Sequence, residues 1–293
     1  MLEMKNVTKT FDKFKALDDL TMTVPKGSVY GLVGPNGAGK STAIRLITGI
    51  YRPDSGSVTL EGIPVYENPV NKVRMGYISD DVFYFPSASM EEMRSFYKGI
   101  YPQFDDGLYE KLFEVFQLPK KSPIRRFSKG MQKQAAFHLS ICTHPEMLIL
   151  DEPVDGLDPV MRRQVWSLIL SDVASYGTTV LISSHNLREL EDICDHVGIM
   201  DHGKMLLERS LADMQGLTHK LQIVGDVPEG LNVLHETQTG RLKTLVVRGD
   251  ARDISHKVSA AAPVYFDILP LSLEEIFIYE LGGVNNEVKN ILL

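Results

Sequence analysis

The chain has 293 residues, of which 43% are hydrophobic and 24% are charged, and its formal net charge is −7. These values are ordinary for a soluble globular protein of one large domain, or of one domain with a small second one. The acidic balance gives no general attraction to nucleic acid, although it leaves room for a local basic patch. We find no signal-peptide pattern and no run of the roughly 18 apolar residues that a membrane span needs. Cys142 and Cys194 match no metal spacing, so we expect buried, reduced thiols.

The first half of the chain predicts strands followed by helices. LEMKNVTKTF and KALDDLTMTV alternate between apolar and polar residues and predict antiparallel strands, and SVYGLVG predicts a buried strand that ends in glycine. A helical pattern follows from Lys40. Ser89 and Glu92 in SMEEM form a capping box, which begins a mainly helical segment.

Strands and helices alternate in the segment that follows. MLILDEP, TTVLISSH and HVGIM predict strands, and residues 159–175 and 186–194 predict helices. We therefore predict an α/β domain over residues 1–205, with a helical subdomain at about residues 85–145.

Residues 206–293 predict a small α+β appendage. LQIVGDV, RLKTLVVRG and VYFDI are typical of strands, and DARDISHKVSAA is typical of a helix. Ser272 and Glu275 form a second capping box, which predicts a further helix.

The segment GPNGAGKST fills the phosphate-loop pattern G-x-x-x-x-G-K-[ST] without deviation, between a predicted strand and a predicted helix. Glycines let the backbone wrap around phosphate oxygens, and the amides at the start of the helix point toward the anion. Lys40 supplies charge to the β- and γ-phosphates, and the Ser41 hydroxyl can ligate Mg²⁺. The predicted nucleotide-binding residues of this loop are Gly34, Pro35, Asn36, Gly37, Ala38, Gly39, Lys40, Ser41 and Thr42.

Two carboxylates end the apolar run MLILDEP. We expect Asp151 to hold the Mg²⁺ shell, and Glu152 to accept a proton from the water that attacks the γ-phosphate. The alternative is that both residues merely end a strand in solvent.

The order and spacing of GPNGAGKST, FSKGMQKQ, LILDEP, DGLD and SSH resemble those of the nucleotide-binding subunits of ABC transporters, over about residues 2–205. The resemblance implies a P-loop ATPase fold with a mixed sheet core, an antiparallel β subdomain and a helical subdomain. It also implies that two such domains pair head to tail, with ATP between the phosphate loop of one and the signature loop of the other. FSKGM resembles that signature, so Ser128 and Gly130 would reach the partner's ATP; for Ser128 the alternative is a simple helix cap.

The resemblance assigns further positions one at a time. Phe11 matches the aromatic residue that stacks on adenine, and Phe14 is the competing candidate. Asp158 matches the loop at the dimer interface, or it caps a helix. His185 matches the residue that contacts the γ-phosphate. Asp80 stands where the family usually has a glutamine, and we hold it as a metal contact.

The resemblance implies an ATP-hydrolysing motor subunit that uses ATP and Mg²⁺ and drives a separate membrane permease, as a homodimer or with a paralogous ATPase. It would lie at the cytoplasmic face of the cell membrane, bound through that permease. The SKGM and PLSLEEIF segments are similar to those of bacterial exporter subunits. We expect the permease contact near residues 77–105, which could instead be subdomain core.

The alternative class is a soluble ABC ATPase that acts on ribosomes or DNA. The single phosphate loop argues against the ribosomal type, because that type usually carries two cassettes. The interval of about ninety residues before the signature argues against the DNA-repair type, which inserts a long coiled coil there. The acidic net charge fits neither, and we expect no nucleic-acid partner.

Overall fold

Two sheets and six α-helices are formed by the chain up to residue 210. The computed structural model describes residues 1–215, 218–272 and 275. The strands are β1 (Leu2–Phe11), β2 (Phe14–Val24), β3 (Val29–Val33), β4 (Ser55–Leu60), β5 (Ile63–Pro64), β6 (Met75–Ile78), β7 (Met147–Asp151), β8 (Thr179–Ser184), β9 (His196–Asp201) and β10 (Lys204–Ser210). The helices are α1 (Lys40–Ile47), α2 (Pro69–Val73), α3 (Met90–Ile100), α4 (Asp106–Phe116), α5 (Lys129–Ile141) and α6 (Pro159–Tyr176).

The chain divides into two compact units, which we describe separately. The first comprises Met1–His185 and His196–Glu208, and the second comprises Asn186–Asp195 and the chain from Arg209 onward.

In the first unit, four strands form an antiparallel sheet in the order β2-β1-β4-β5. Leu2 at the start of β1 pairs with Val24 on one side and Leu60 on the other. The predicted alternation is confirmed at Leu2 and Met4, which are fully buried, while Lys5 is exposed. The alternating face therefore covers a core that this sheet shares with the central sheet and α1.

The central sheet has the order β10-β9-β3-β8-β7-β6. Neighbours among β9, β3, β8, β7 and β6 run parallel. Strands β3, β7 and β8 are buried along their whole length, as expected for parallel strands covered on both faces. The carboxyl ends of the parallel strands share one edge of the sheet, and this edge carries the phosphate loop, Asp151 and His185.

Helices α3, α4 and α5 form the predicted helical segment. The capping box of α3 is confirmed, because Ser89 Oγ accepts from the Glu92 amide at 3.3 Å and Glu92 Oε2 accepts from the Ser89 amide at 2.8 Å. The Asp105 side chain caps α4 by accepting from the Leu108 amide. No helix in the described part of the chain combines the length and apolar character needed to cross a bilayer.

In its described residues, the second unit contains a 3₁₀ turn, two helices and a four-stranded antiparallel sheet in the order β12-β13-β11-β14. Its elements are the turn at Leu187–Glu189, α7 (Leu211–Gln215), β11 (Thr218–Val224), β12 (Asn232–Thr239), β13 (Leu242–Arg248), α8 (Ala251–Ala260) and β14 (Tyr265–Pro270). Ile254 and Val258 of α8 pack against Leu221 and Leu245 of the sheet. The appendage is α+β, as predicted.

Two sequence predictions fall in the second unit. The helix predicted over residues 186–194 is wrong: only a 3₁₀ turn forms there, because Leu190 and Ile193 donate their amides to carbonyls three residues back. The capping box of Ser272 and Glu275 forms, with the Glu275 amide 3.2 Å from Ser272 Oγ. Most of the helix predicted to follow it lies outside the described residues.

Candidate nucleotide-binding site

The phosphate loop connects β3 to α1, and the Lys40 side chain lies inside it. Lys40 Nζ donates to the carbonyl oxygens of Gly34 at 2.6 Å and Pro35 at 3.3 Å. The side chain is only 6% exposed, and Nζ lies 3.5 Å from Glu152 Oε1. A buried ammonium at the start of a helix, inside a glycine-rich loop, is suited to a bound triphosphate.

Two glycines of this loop are required by close backbone approach. A Cβ at Gly34 would lie 2.2 Å from the carbonyl oxygen of Met200. Gly39 has φ +104, and a Cβ there would lie 2.7 Å from the carbonyl oxygen of Ala16. A side chain at Gly34 would displace the loop from β9 of the central sheet, and one at Gly39 would displace it from β2 of the antiparallel sheet.

Hard oxygen atoms from three elements converge next to the loop. Ser183 Oγ donates to Asp151 Oδ1 at 2.6 Å, and Ser41 Oγ lies 3.4 Å from the same oxygen. Asp151 is 4% exposed. Burial, followed by the negative charge of Asp151, raises the pKa of nearby Tyr77 to about 12. A hydroxyl and a carboxylate in this arrangement fit Mg²⁺, which prefers hard oxygen ligands.

The Glu152 carboxylate lies between a lysine and a histidine. Its backbone has φ 45, and its amide donates to Ser183 Oγ at 3.1 Å. Glu152 Oε2 lies 3.0 Å from His185 Nδ1 and accepts from the His185 amide at 3.3 Å. Ligand atoms of Glu152, Asp155 and His185 lie within 4.8 Å of one another, so a cation could also be held there. The carboxylate is therefore fixed at the edge of the cleft and can act on a phosphate or a water.

An open cleft of about 310 Å³ lies beside the phosphate loop. Its wall includes Phe14, the phosphate loop from Asn36 to Thr42, Asp80 and Glu152. Phe11 is 38% exposed and packs edge-on against Tyr51, with ring centroids 5.3 Å apart. Phe14 thus lines the cleft, whereas Phe11 lies against a neighbouring aromatic ring.

Asp80 follows β6 and contacts a residue that the sequence analysis did not single out. Lys133 Nζ donates to Asp80 Oδ1 at 3.2 Å and to the carbonyl oxygen of Glu152 at 2.8 Å. Ser183 is a second such residue, because it holds Asp151. Lys133 lies in the motif FSKGMQKQ and Ser183 lies in the motif SSH, but the spacing of residues within these motifs does not indicate either contact.

Ser128 and Asp158 act as helix caps in the single chain. Ser128 Oγ accepts from the Met131 amide at 3.2 Å, and Asp158 Oδ1 accepts from two amides of α6 at 3.0 Å. Both residues are exposed. Among the described residues, the wall of the phosphate-loop cleft includes neither of them, nor Gly130. One copy of the chain therefore does not bring the signature to its own phosphate loop.

A glycine-rich loop between a buried parallel strand and a helix, facing carboxylates at the neighbouring strand end, defines a P-loop nucleotide hydrolase. A sequence profile described as "ABC transporter" matches residues 17–155. The lantibiotic transport ATP-binding protein SrtF of Streptococcus pyogenes is 33% identical over 218 residues, covering 74% of this chain and 94% of SrtF. The chain therefore belongs to the ATP-binding subunits of ABC transporters, and it is an ATPase.

Further similarities extend this result. The ABC transporter ATP-binding protein YtrB of Bacillus subtilis (strain 168) is 29% identical over 288 residues, which cover 97% of this chain and 99% of YtrB. Nod factor export ATP-binding protein I of Sinorhizobium fredii is 32% identical over 239 residues, covering 78% of this chain and 69% of that protein. A dimeric ATP-binding cassette in a post-hydrolysis state with ADP and Pi has the same fold, with a TM-score of 0.65, 20% identity, and coverage of 72% of this chain and 99% of the cassette.

Proposed function

We propose that this ATPase is a motor subunit in which ATP binding closes a dimer and hydrolysis reopens it. The observation that carries the proposal is the separation within one chain: the phosphate loop and Glu152 share a cleft, whereas Ser128 and Gly130 lie outside it at the start of α5. A second copy, or a paralogous ATPase, would bring its own signature to this cleft. The positive end of a thirteen-residue helix would then face the γ-phosphate.

We propose the following roles in hydrolysis. Lys40 binds the β- and γ-phosphates, Glu152 accepts a proton from the attacking water, and His185 orients Glu152 and contacts the γ-phosphate. Ser41 and Asp151 would hold Mg²⁺, which neutralises phosphate charge when it is bound. Asp80 is a third candidate ligand on the same wall, although one of its oxygens accepts from Lys133.

The adenine contact has two candidates. The sequence prediction is Phe11, and Phe14 is supported by its position on the wall of the cleft. Stacking of a base on an aromatic ring contributes roughly 1–3 kcal/mol. The variant that loses ATP affinity, Phe11→Ala or Phe14→Ala, identifies the stacking residue in a binding titration.

Light scattering tests the dimer. Glu152→Gln protein, which should bind ATP without hydrolysing it, is expected to double from the monomer mass of 32.8 kDa when Mg²⁺ and ATP are added. Lys40→Ala is the matched control and should stay monomeric, because it removes the phosphate ligand. A Glu152→Gln protein that binds ATP and remains monomeric would contradict the proposal.

We further propose that the dimer drives a separate membrane permease, bound near residues 77–105, and lies at the cytoplasmic face of the membrane. Support comes from an exposed aromatic cluster beyond β6: Phe83, Phe85 and Phe96 are 81%, 49% and 46% exposed, and the last two rings lie 5.4 Å apart. Large exposed apolar rings commonly mark interaction surfaces. The similarity to Nod factor export ATP-binding protein I supports export as the direction.

Purification from native cells in mild detergent tests this part. We expect a multi-span membrane protein to co-purify with the chain, and to be lost with a Phe83→Ser/Phe85→Ser variant. Recovery of ribosomal proteins or DNA-associated factors without a membrane chain would instead move the protein to the soluble class, with the ATP site as described.

A further inference from the structure

Lys133 connects three parts of the nucleotide site. It lies in α5, five residues after Ser128, and its side chain is 7% exposed. Its Nζ donates to the carbonyl oxygen of Glu152 at 2.8 Å and to Asp80 Oδ1 at 3.2 Å. The contacts link the signature helix to the loop after β6 and to the end of β7.

The two partners of Lys133 have different physical roles. A buried ammonium requires hydrogen-bond acceptors and an opposite charge, and here it has one of each. The Glu152 carbonyl belongs to a residue with left-handed backbone, φ 45, so a hydrogen bond there helps to fix a strained peptide. Asp80 supplies the opposite charge.

Asp80 also lies where its charge matters for ATP. It is on the wall of the cleft that contains the phosphate loop, and also on the wall of an adjacent cleft that contains Lys133. A carboxylate without a counter-charge on the first wall would repel a triphosphate. The Lys133 ammonium offsets that charge from the protein side.

We propose that Lys133 is a positioning residue for hydrolysis: it neutralises Asp80 beside the phosphates and holds the backbone of Glu152. This inference rests on the proposed roles of the cleft and of Glu152. According to this proposal, the Asp80 carboxylate pairs with the Lys133 ammonium and does not bind Mg²⁺. It also gives the helix that begins at the signature a direct hydrogen bond to the peptide of the catalytic carboxylate.

Steady-state ATPase kinetics on variants of Lys133 and Asp80 test the proposal. Lys133→Met should raise KM for ATP roughly fivefold or more, because Asp80 becomes uncompensated, and should lower kcat roughly tenfold, because the Glu152 peptide loses a hydrogen bond. Adding Asp80→Asn to Lys133→Met should restore KM but leave kcat low. Lys111→Met, which removes an exposed lysine from α4, should change neither value.

If Lys133 only stabilised the fold, Lys133→Met would lower the amount of active enzyme. It would not raise KM in a way that Asp80→Asn reverses. The proposal is overturned if KM is unchanged in Lys133→Met, or if the double variant keeps the raised KM. It is also overturned if Asp80→Asn alone raises the Mg²⁺ concentration needed for half-maximal rate, since Asp80 would then be a metal ligand.

Two further variants keep the test decisive. Should Lys133→Met be insoluble, Lys133→Arg retains the charge and should keep KM within about twofold of the wild type, while Asp80→Asn alone should lower KM. A Lys133→Arg protein with strongly raised KM would contradict the proposal. Lys40→Ala distinguishes failure of the proposed ATP site from failure of the role of Lys133. If Lys40→Ala leaves ATP binding intact, the cleft is wrongly assigned as the ATP site. If Lys40→Ala is defective but Lys133→Met has a normal KM, only the role of Lys133 is refuted.

Discussion

Ser183 holds the carboxylate pair, and its removal should affect both stability and turnover. The side chain is fully buried, donates to Asp151 Oδ1 at 2.6 Å and accepts from the Glu152 amide at 3.1 Å. A hydrogen bond to a charged group contributes roughly 1.5–3 kcal/mol, and its loss leaves a buried carboxylate under-coordinated. Ser183→Ala should therefore lower the free energy of unfolding by about 2 kcal/mol. For a unit of this size the melting temperature should fall by about 4–8 °C.

Ser28→Ala is the matched control for Ser183→Ala. Ser28 is 4% exposed, and its hydroxyl donates to the neutral carbonyl oxygen of Pro25 at 2.8 Å. This loss should cost about 1 kcal/mol and leave ATPase activity unchanged. Ser183→Ala should lower kcat roughly tenfold, because Asp151 and Glu152 lose a shared anchor. Calorimetry measures the change in melting temperature, and an ATPase assay measures kcat. The reasoning would be refuted if Ser183→Ala and Ser28→Ala lowered the melting temperature equally and both left kcat unchanged.

Three other substitutions have expected outcomes. Gly34→Ala should lower the ATPase rate roughly 100-fold, because the methyl group meets a carbonyl oxygen at 2.2 Å; Gly99→Ala, in open space on α3, should instead raise the free energy of unfolding by about 0.5–1 kcal/mol. Ser128→Ala and Ser89→Ala each remove a helix cap and should each lower the free energy of unfolding, measured in urea titrations, by about 1 kcal/mol. Only Ser128→Ala should lower ATPase activity. If the two variants are equally active, Ser128 is a helix cap with no role in hydrolysis. Burial lowers the pKa of His138 to about 4, below the usual value of about 6.5, so stability should fall by up to roughly 3 kcal/mol as the pH falls between these values. His138→Leu should remove this pH dependence, and a wild-type stability that is flat between about pH 7 and 5 would contradict it.

The sheet strands could be predicted from the sequence where burial is complete. MLILD and TVLISS are buried at every residue, so an apolar run is the direct signature of β7 and β8. Strand β12 was missed because all eight of its residues are exposed, and its sequence shows no apolar alternation. The segment after His185 was misread, since Leu187, Leu190 and Ile193 recur every three residues, a spacing that fits both an α-helix and the 3₁₀ turn that forms.

The phosphate loop was predictable for a different reason: its ligands are contiguous, so the motif itself contains the geometry. The supporting contacts are not contiguous. Ser183 lies 32 residues from Asp151, and Lys133 lies 53 residues from Asp80. Such pairs depend on how β6, β7, β8 and α5 come together, which single-sequence patterns do not specify.

The ATPase rate of purified Glu152→Gln protein, measured together with its bound nucleotide, tests the hydrolytic assignment most directly. Glu114→Gln, an exposed change of the same chemistry on α4, is the control. We expect Glu152→Gln to retain ATP and to lose activity by roughly 100-fold or more, because Glu152 is the carboxylate held between Lys40 and His185 to accept the proton of the attacking water. An unchanged rate in Glu152→Gln would remove this carboxylate as the base and contradict the proposed mechanism.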